Sequence, residues 1–304
     1  MSDTVISAHA LSKHYGPLRA VDGVDLNVTR GELFGLIGHN GAGKSTLFKM
    51  MQGLIPASAG HVDVLGQRVG GVTFREARRH IGYLPEQLAL YDNLSGRETL
   101  AFFARLKGVD GAGIPALLQR VGLAHAAERR VRTYSKGMRQ RLGFAQALLG
   151  SPRLLFLDEP TNGLDPEAIH DFYRVLEALR GDGVTMVLTS HILSEIQTRV
   201  ERIAILRNGR VHACGSVDEL RARADLPLTL QLSTTRALSA PEQQALTRHG
   251  VHLHSTLPGR YQLAVPRAAK LAVLAEAARL GGVLADFNLI EPSLDDVFLR
   301  GDAA

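Results

Sequence analysis

The sequence predicts an α/β protein: a mixed sheet core with antiparallel β and helical subdomains, and a small α+β appendage at the C-terminal end. Three observations carry this. Short apolar runs at Leu33–Ile37, Leu154–Leu157 and Thr185–Leu188 have the length and composition of strands buried on both faces. Helical periodicity fills the stretches between them. Near residue 222 the pattern changes to strand, helix, two strands, helix, strand, the order of a ferredoxin-like unit.

Taken in order, residues 4 to 30 alternate apolar and polar positions between Gly-containing turns, which predicts short antiparallel strands. Leu33–Ile37 follows, then a Gly-rich loop, then Leu47, Met50, Met51 and Leu54 at helical spacing. Residues 98 to 150 read as helical, including Glu98–Lys107 and Met138–Leu149. A helix over 167–180 separates the second and third buried strands. Arg202–Arg207 and Arg210–Ala213 flank Asn208-Gly209, the turn pair of a tight hairpin. In the appendage, strands are expected at 226–232, 251–256, 260–265 and 283–288, helices at 241–249 and 268–280, and a last helix from Pro292. The expected domains are therefore 1–221, with a helical subdomain over about 88–150, and 222–304.

With 304 residues, 45% hydrophobic and 21% charged, the chain has the composition of a globular protein with a sizeable core. No apolar run approaches the roughly 18 residues needed to cross a bilayer. Met1-Ser-Asp-Thr-Val5 lacks the basic and apolar regions of a secretory signal. The single cysteine, Cys214, excludes an internal disulfide and fits a reducing compartment. A net charge of +5 is spread along the chain without a basic block, so no nucleic-acid partner is expected.

Chemistry concentrates first in Gly38-His39-Asn40-Gly41-Ala42-Gly43-Lys44-Ser45-Thr46. This run satisfies G-x4-G-K-[ST] between a strand and a helix. Its glycines let backbone N–H groups wrap a phosphate chain, Lys44 neutralises terminal phosphate oxygens, and Ser45 can ligate Mg2+. The helix that starts there adds its N-terminal dipole. Leu154-Leu-Phe-Leu-Asp158-Glu159 is a buried strand ending in two carboxylates. Asp158 is placed to hold Mg2+, and Glu159 to orient and deprotonate an attacking water. Alone, the acidic pair would be an ordinary strand end; with the phosphate loop upstream it is a hydrolytic site.

Tyr134-Ser135-Lys136-Gly137-Met138, followed by a helix running toward the Asp158 strand, resembles the signature of ABC ATPases, usually Leu-Ser-Gly-Gly-Gln. Ser135 and Gly137 are retained; Lys136 and Met138 depart from the common form. Leu94-Ser-Gly-Arg-Glu98 starts similarly, but its helix does not lead into that strand, so it reads as the opening of the helical subdomain. The resemblance to the ABC ATPase family covers residues 4 to about 220 and implies further roles. Tyr15 sits where an aromatic stacks on adenine, and Gln87 matches the glutamine linking the Mg2+ site to the helical subdomain. Asp165, in Gly163-Leu-Asp165, matches the loop at the dimer interface, and His191 the histidine touching the γ-phosphate.

The resemblance also implies cofactors and partners: ATP and Mg2+, a homodimer in which each signature closes over the other copy's nucleotide, and an integral membrane permease. Location at the cytoplasmic face of the inner membrane follows from that permease. The Tyr134–Leu142 run and Glu291–Phe298 look like ATPase subunits of ABC-2-type exporters. More narrowly, Leu94–Leu100, Phe103–Gly108 and Val121–Gly150 are similar to the NosF-type ATPase of nitrous-oxide reductase maturation, which implies a periplasmic partner and copper-site assembly. The competing class is an ABC ATPase acting on nucleic acid or the ribosome; those commonly carry two ATPase domains or a coiled-coil insertion, and neither is visible here. His249, His252 and His254 tempt a copper reading, but alternate strand positions share a face for ordinary reasons. Direct metal binding by them is left open.

Overall fold

The computed structural model describes residues 3–224, 226–248 and 251–292. The chain forms two compact units, Met1–Gly215 and Ser216–Ala304.

The first unit opens with β1 (Thr4–Tyr15) and β2 (Leu18–Thr29), which pair antiparallel. The sequence predicts short strands here; the structure has two of 12 residues each, irregular in register. The register shifts explain the difference, because each one interrupts the alternation that marks a continuous strand. After β3 (Leu33–Ile37) come α1 (Lys44–Met51), β4 (Ala59–Val64) and β5 (Gln67–Arg68). Strands β2-β1-β4-β5 make one antiparallel sheet. A short α2 (Phe74–Ala77) leads to β6 (Ile81–Leu84), a strand that periodicity did not reveal because it is only four residues long.

The helical subdomain follows: α3 (Gly96–Lys107), α4 (Ile114–Arg120) and α5 (Lys136–Ala147). Helix α3 begins in a full capping box. The Ser95 side chain accepts from Glu98 N, and Glu98 Oε2 accepts from Ser95 N at 2.7 Å. The signature-like run at 94–98 is thus a helix start. Then come β7 (Leu154–Leu157), α6 (Pro166–Gly181), β8 (Thr185–Ser190), α7 (Leu193–Ile196), β9 (Arg202–Arg207) and β10 (Arg210–Ser216). The second sheet has the order β10-β9-β3-β8-β7-β6, with β9, β3, β8, β7 and β6 parallel. Its centre is fully buried, which is why β3, β7 and β8 read as continuous apolar runs. Phe34, Leu36, Phe156 and Val187 join Phe48 and Met50 of α1 and the apolar face of the first sheet in one core.

The second unit comprises α8 (Val217–Ala224), β11 (Leu228–Thr234), α9 (Ala240–Thr247), β12 (His252–Leu257), β13 (Arg260–Val265), α10 (Lys270–Arg279) and β14 (Leu284–Ile290). The sheet order β12-β13-β11-β14, antiparallel throughout, is the ferredoxin-like topology the sequence predicts. Leu228, Leu230, Leu232, Leu263, Val273 and Ala277 form its separate core. The helix expected beyond Pro292 lies outside the described residues, as does His249. His252 and His254 lie across from Ala264 and Gln262 of β13. Among the described residues no group of three or more His, Cys, Asp or Glu is placed to hold a metal.

Candidate active site

Strand β3 ends at the floor of the phosphate loop, and its position beside β8 and β9 holds that loop in place. Gly43 caps α1 with φ of +104°, a conformation that favours glycine, and a Cβ there would approach Ala20 O to 2.3 Å. Gly38 is bound as closely from the other side: a Cβ would stand 2.4 Å from Leu206 O. The loop therefore has no room for a side chain at Gly38 or Gly43.

That pocket has a volume of about 680 Å3 and is lined by the loop from His39 to Thr46, together with Tyr15, Glu86, Glu159, Asn162, His191 and Asn208. Lys44 is buried and donates from Nζ to Gly38 O at 2.5 Å; its Nζ also lies 3.6 Å from Glu159 Oε1. Glu159 Oε2 is 2.8 Å from His191 Nδ1, so one carboxylate bridges the loop lysine and the histidine at the end of β8. Glu159 has φ of +48°, a left-handed backbone that costs a non-glycine residue about 1–3 kcal/mol.

Thr189 holds that conformation. Its Oγ1 accepts from Glu159 N at 2.8 Å and donates to Asp158 Oδ1 at 2.7 Å. Sequence reading missed Thr189, because a threonine inside an apolar strand looks like ordinary β-branched filler. Its Oγ1 fixes the backbone of Glu159 and the carboxylate of Asp158 at once. Burial first of all, with the charges of Glu86 and Glu159 added, raises the Asp158 carboxyl above its ordinary range, against the Thr189 hydrogen bond and Lys44. Burial, with the charges of Asp158 and Glu86 added, pushes the Tyr83 hydroxyl up to about 12.

The structure brings Tyr15, the phosphate loop, Glu159 and His191 together around one pocket, with Asp158 buried beside Glu159. It does not bring Gln87 there. Gln87 is exposed, and the preceding residue, Glu86, lines the pocket instead. Strand β6 ends at Leu84, and in the short turn after it the chain's path sets Glu86 on the pocket lining. Tyr15 is half exposed, with Lys13 Nζ 5.3 Å from its ring centre.

Ser135, Lys136, Gly137, Met138 and Asp165 also stand outside the pocket. Ser135 caps α5, accepting from Met138 N at 3.2 Å, and Asp165 caps α6, accepting from Ala168 N at 2.8 Å. A Cβ on Gly163 would collide with the Lys136 side chain, so the helix start and the loop before α6 are in contact. Gln140 Nε2 donates to Pro160 O at 3.0 Å and ties α5 to the segment after Glu159.

A parallel sheet with a phosphate loop after β3 and paired carboxylates after β7 defines a P-loop nucleotide hydrolase. The comparisons narrow the class. Residues 21–162 match the family model described as ABC transporter. The chain is 38% identical to a daunorubicin resistance ATP-binding protein, DrrA3, of Streptomyces coeruleorubidus, over 99% of this chain and 96% of that protein. It is 34% identical to the bacitracin transport ATP-binding protein BcrA of Bacillus licheniformis, over 98% and 97% of the two chains. A solved ATP-binding subunit of an ABC transporter superposes with a TM-score of 0.67 at 34% identity, covering 72% of this chain and 93% of that one. The chain belongs to the ATP-binding subunits of ABC transporters, and its enzymatic activity is that of an ABC ATPase. Among the described residues no helix is long and apolar enough to cross a membrane.

Proposed function

We propose that two copies of this chain sandwich two ATP molecules head to tail and drive a separate permease that exports antibiotic-type compounds from the cytoplasmic face of the membrane. One observation carries the pairing: Lys44, Ser45 and Glu159 line the nucleotide pocket while Ser135, with its exposed neighbour Lys136, stands outside it at the start of α5. A second copy supplies what each pocket lacks. The names of the relatives, resistance to daunorubicin and transport of bacitracin, support the cargo class.

In this reading Tyr15 stacks on adenine, the loop amides and Lys44 hold the phosphates, Glu159 deprotonates the attacking water and His191 contacts the terminal phosphate. Gly137 and Ser135 reach the partner copy's nucleotide, with Lys136 and Met138 beside them, and Asp165 lies at the junction. The oxygens of Ser45, Asp158 and Glu86 suit Mg2+, a hard cation that binds through few carboxylates and keeps waters and phosphates as its other ligands. Convergent acids beside a raised Asp158 are the chemical sign that a cation belongs there. When bound, the ion neutralises phosphate charge. We assign Glu86, in place of Gln87, as the link from that site to the helical subdomain. The permease docks on the cleft of about 410 Å3 between β6 and α3, lined by Tyr83, Phe103 and the exposed Leu106.

The test is co-purification of the chain with a candidate permease, followed by drug-stimulated ATPase activity in lipid. A complex whose ATP turnover ignores every apolar antibiotic tried would sink the cargo class. Service to nitrous-oxide reductase maturation, with a periplasmic partner, is a second reading. It rests on the 94–108 and 121–150 stretches alone, and the antibiotic-named relatives do not support it. Unchanged copper content of co-expressed nitrous-oxide reductase after deletion of this chain would remove it.

A further inference from the structure

Away from the nucleotide, a cavity of about 380 Å3 lies between the end of α4, the flank of α5 and the length of α6. Val121, Phe144, Leu164, Phe172 and Val175 make its walls mainly apolar. Phe144 and Phe172 pack at 4.8 Å between ring centres. Its volume is within the range of small-molecule sites.

The charges around it are unbalanced. Three guanidiniums, Arg120, Arg141 and Arg174, line the cavity with one carboxylate, Asp171. Asp171 is held closely by Arg174 and reaches Arg141 only at 4.0 Å, while Arg120 pairs at 3.2 Å with Asp182. Arg141 therefore stands against an apolar chamber with a shared, distant counter-charge. An anionic head on an apolar body supplies both missing contacts.

We propose that this cavity binds an amphipathic carboxylate, head group at Arg141 and body against Phe144, Phe172 and Val175, and that the bound molecule slows ATP turnover. The slowing follows from what else touches the cavity. Gln140 lines it and holds Pro160 O, next to Glu159. Leu164 lines it and packs 3.7 Å from where a Cβ on Gly137 would be. An occupant wedges α5, which begins with the signature, against α6 and fixes their spacing. The binding site stands apart from the proposed cargo and pairing; only its effect on turnover uses the ATPase assignment.

The experiment uses the full chain with dodecanoate, held below its micelle concentration, and dodecyltrimethylammonium as the charge-reversed control, both followed by titration calorimetry. Dodecanoate binds saturably, one per chain, at least about tenfold tighter than the cation. Arg141→Gln weakens it by about tenfold or more, and Val175→Trp, which fills the chamber, abolishes it. Wild-type ATPase falls on saturation, and that of Val175→Trp does not respond. Non-saturable uptake, equal binding of the two amphiphiles, or undiminished binding in Arg141→Gln overturns the site, and this last variant decides even if Val175→Trp does not fold. Binding without change in turnover overturns the coupling. Absence of basal ATPase, by contrast, indicts the assignment of the nucleotide pocket and leaves the calorimetry standing.

Discussion

Glu159 is held at three points: by Lys44 and His191 at its carboxylate and by Thr189 at its backbone. In the proposed mechanism nucleotide phosphates compete for Lys44, and ATP entry frees one side of the carboxylate toward water. Glu159→Gln keeps the shape and removes the proposed base; ATP turnover should fall by roughly 10²–10⁴-fold. The same variant should accumulate an ATP-bound dimer, seen as a shift in size-exclusion elution with ATP and Mg2+. Near-wild-type turnover would exclude Glu159 as the base. The proposed loop assignment has its own test: Glu86→Ala should raise the Mg2+ concentration needed for half-maximal ATPase, whereas Gln87→Ala should leave it unchanged. The reverse result restores Gln87. Thr189→Val strands two buried groups and should destabilise the fold by about 1–3 kcal/mol while lowering turnover; denaturant melts and ATPase assays check both.

At the scale of elements, caps decide where the helices start. Ser95 satisfies the first turn of α3 and is itself satisfied by Glu98, so Ser95→Ala should cost about 1 kcal/mol in denaturant unfolding. In the second unit, Glu242 bonds Arg236 and Ser239 at the start of α9, and Arg236 first of all lowers its carboxyl from 4.5 to about 2. A carboxyl held low in the folded state contributes stability that is complete above pH 4.5 and disappears as the pH falls through about 2. Glu242→Gln should therefore flatten the acid side of this unit's unfolding profile without changing the slope near neutrality. A variant with the wild-type acid profile would show that the contact is not populated in solution.

At the scale of the molecule, every lining residue of the nucleotide pocket falls between Tyr15 and Asn208, inside the first compact unit. A chain ending after Ser216 should bind ATP with an affinity within a few-fold of the full chain, by fluorescent-nucleotide titration. Loss of binding would mean the ferredoxin-like unit supports the pocket. Whether that unit governs pairing is read from the same truncation by size-exclusion in the presence of ATP.

Residue types and spacing alone determined the phosphate loop, the carboxylate pair, the parallel core strands and the ferredoxin-like order, because each leaves a local periodic or compositional mark. Lys44 and Ser45 are legible because their chemistry depends on neighbours within one loop. Only the tertiary structure decided what depends on distant segments meeting. It placed Glu86 on the lining of the pocket and set Thr189 against both the Glu159 backbone and the Asp158 carboxylate. It also opened a charged, apolar cavity between α5 and α6 that no motif announces. The physical reason is one of range: a loop's chemistry is written in consecutive residues, whereas the side of a turn that faces a pocket is set by packing between strands far apart in the chain.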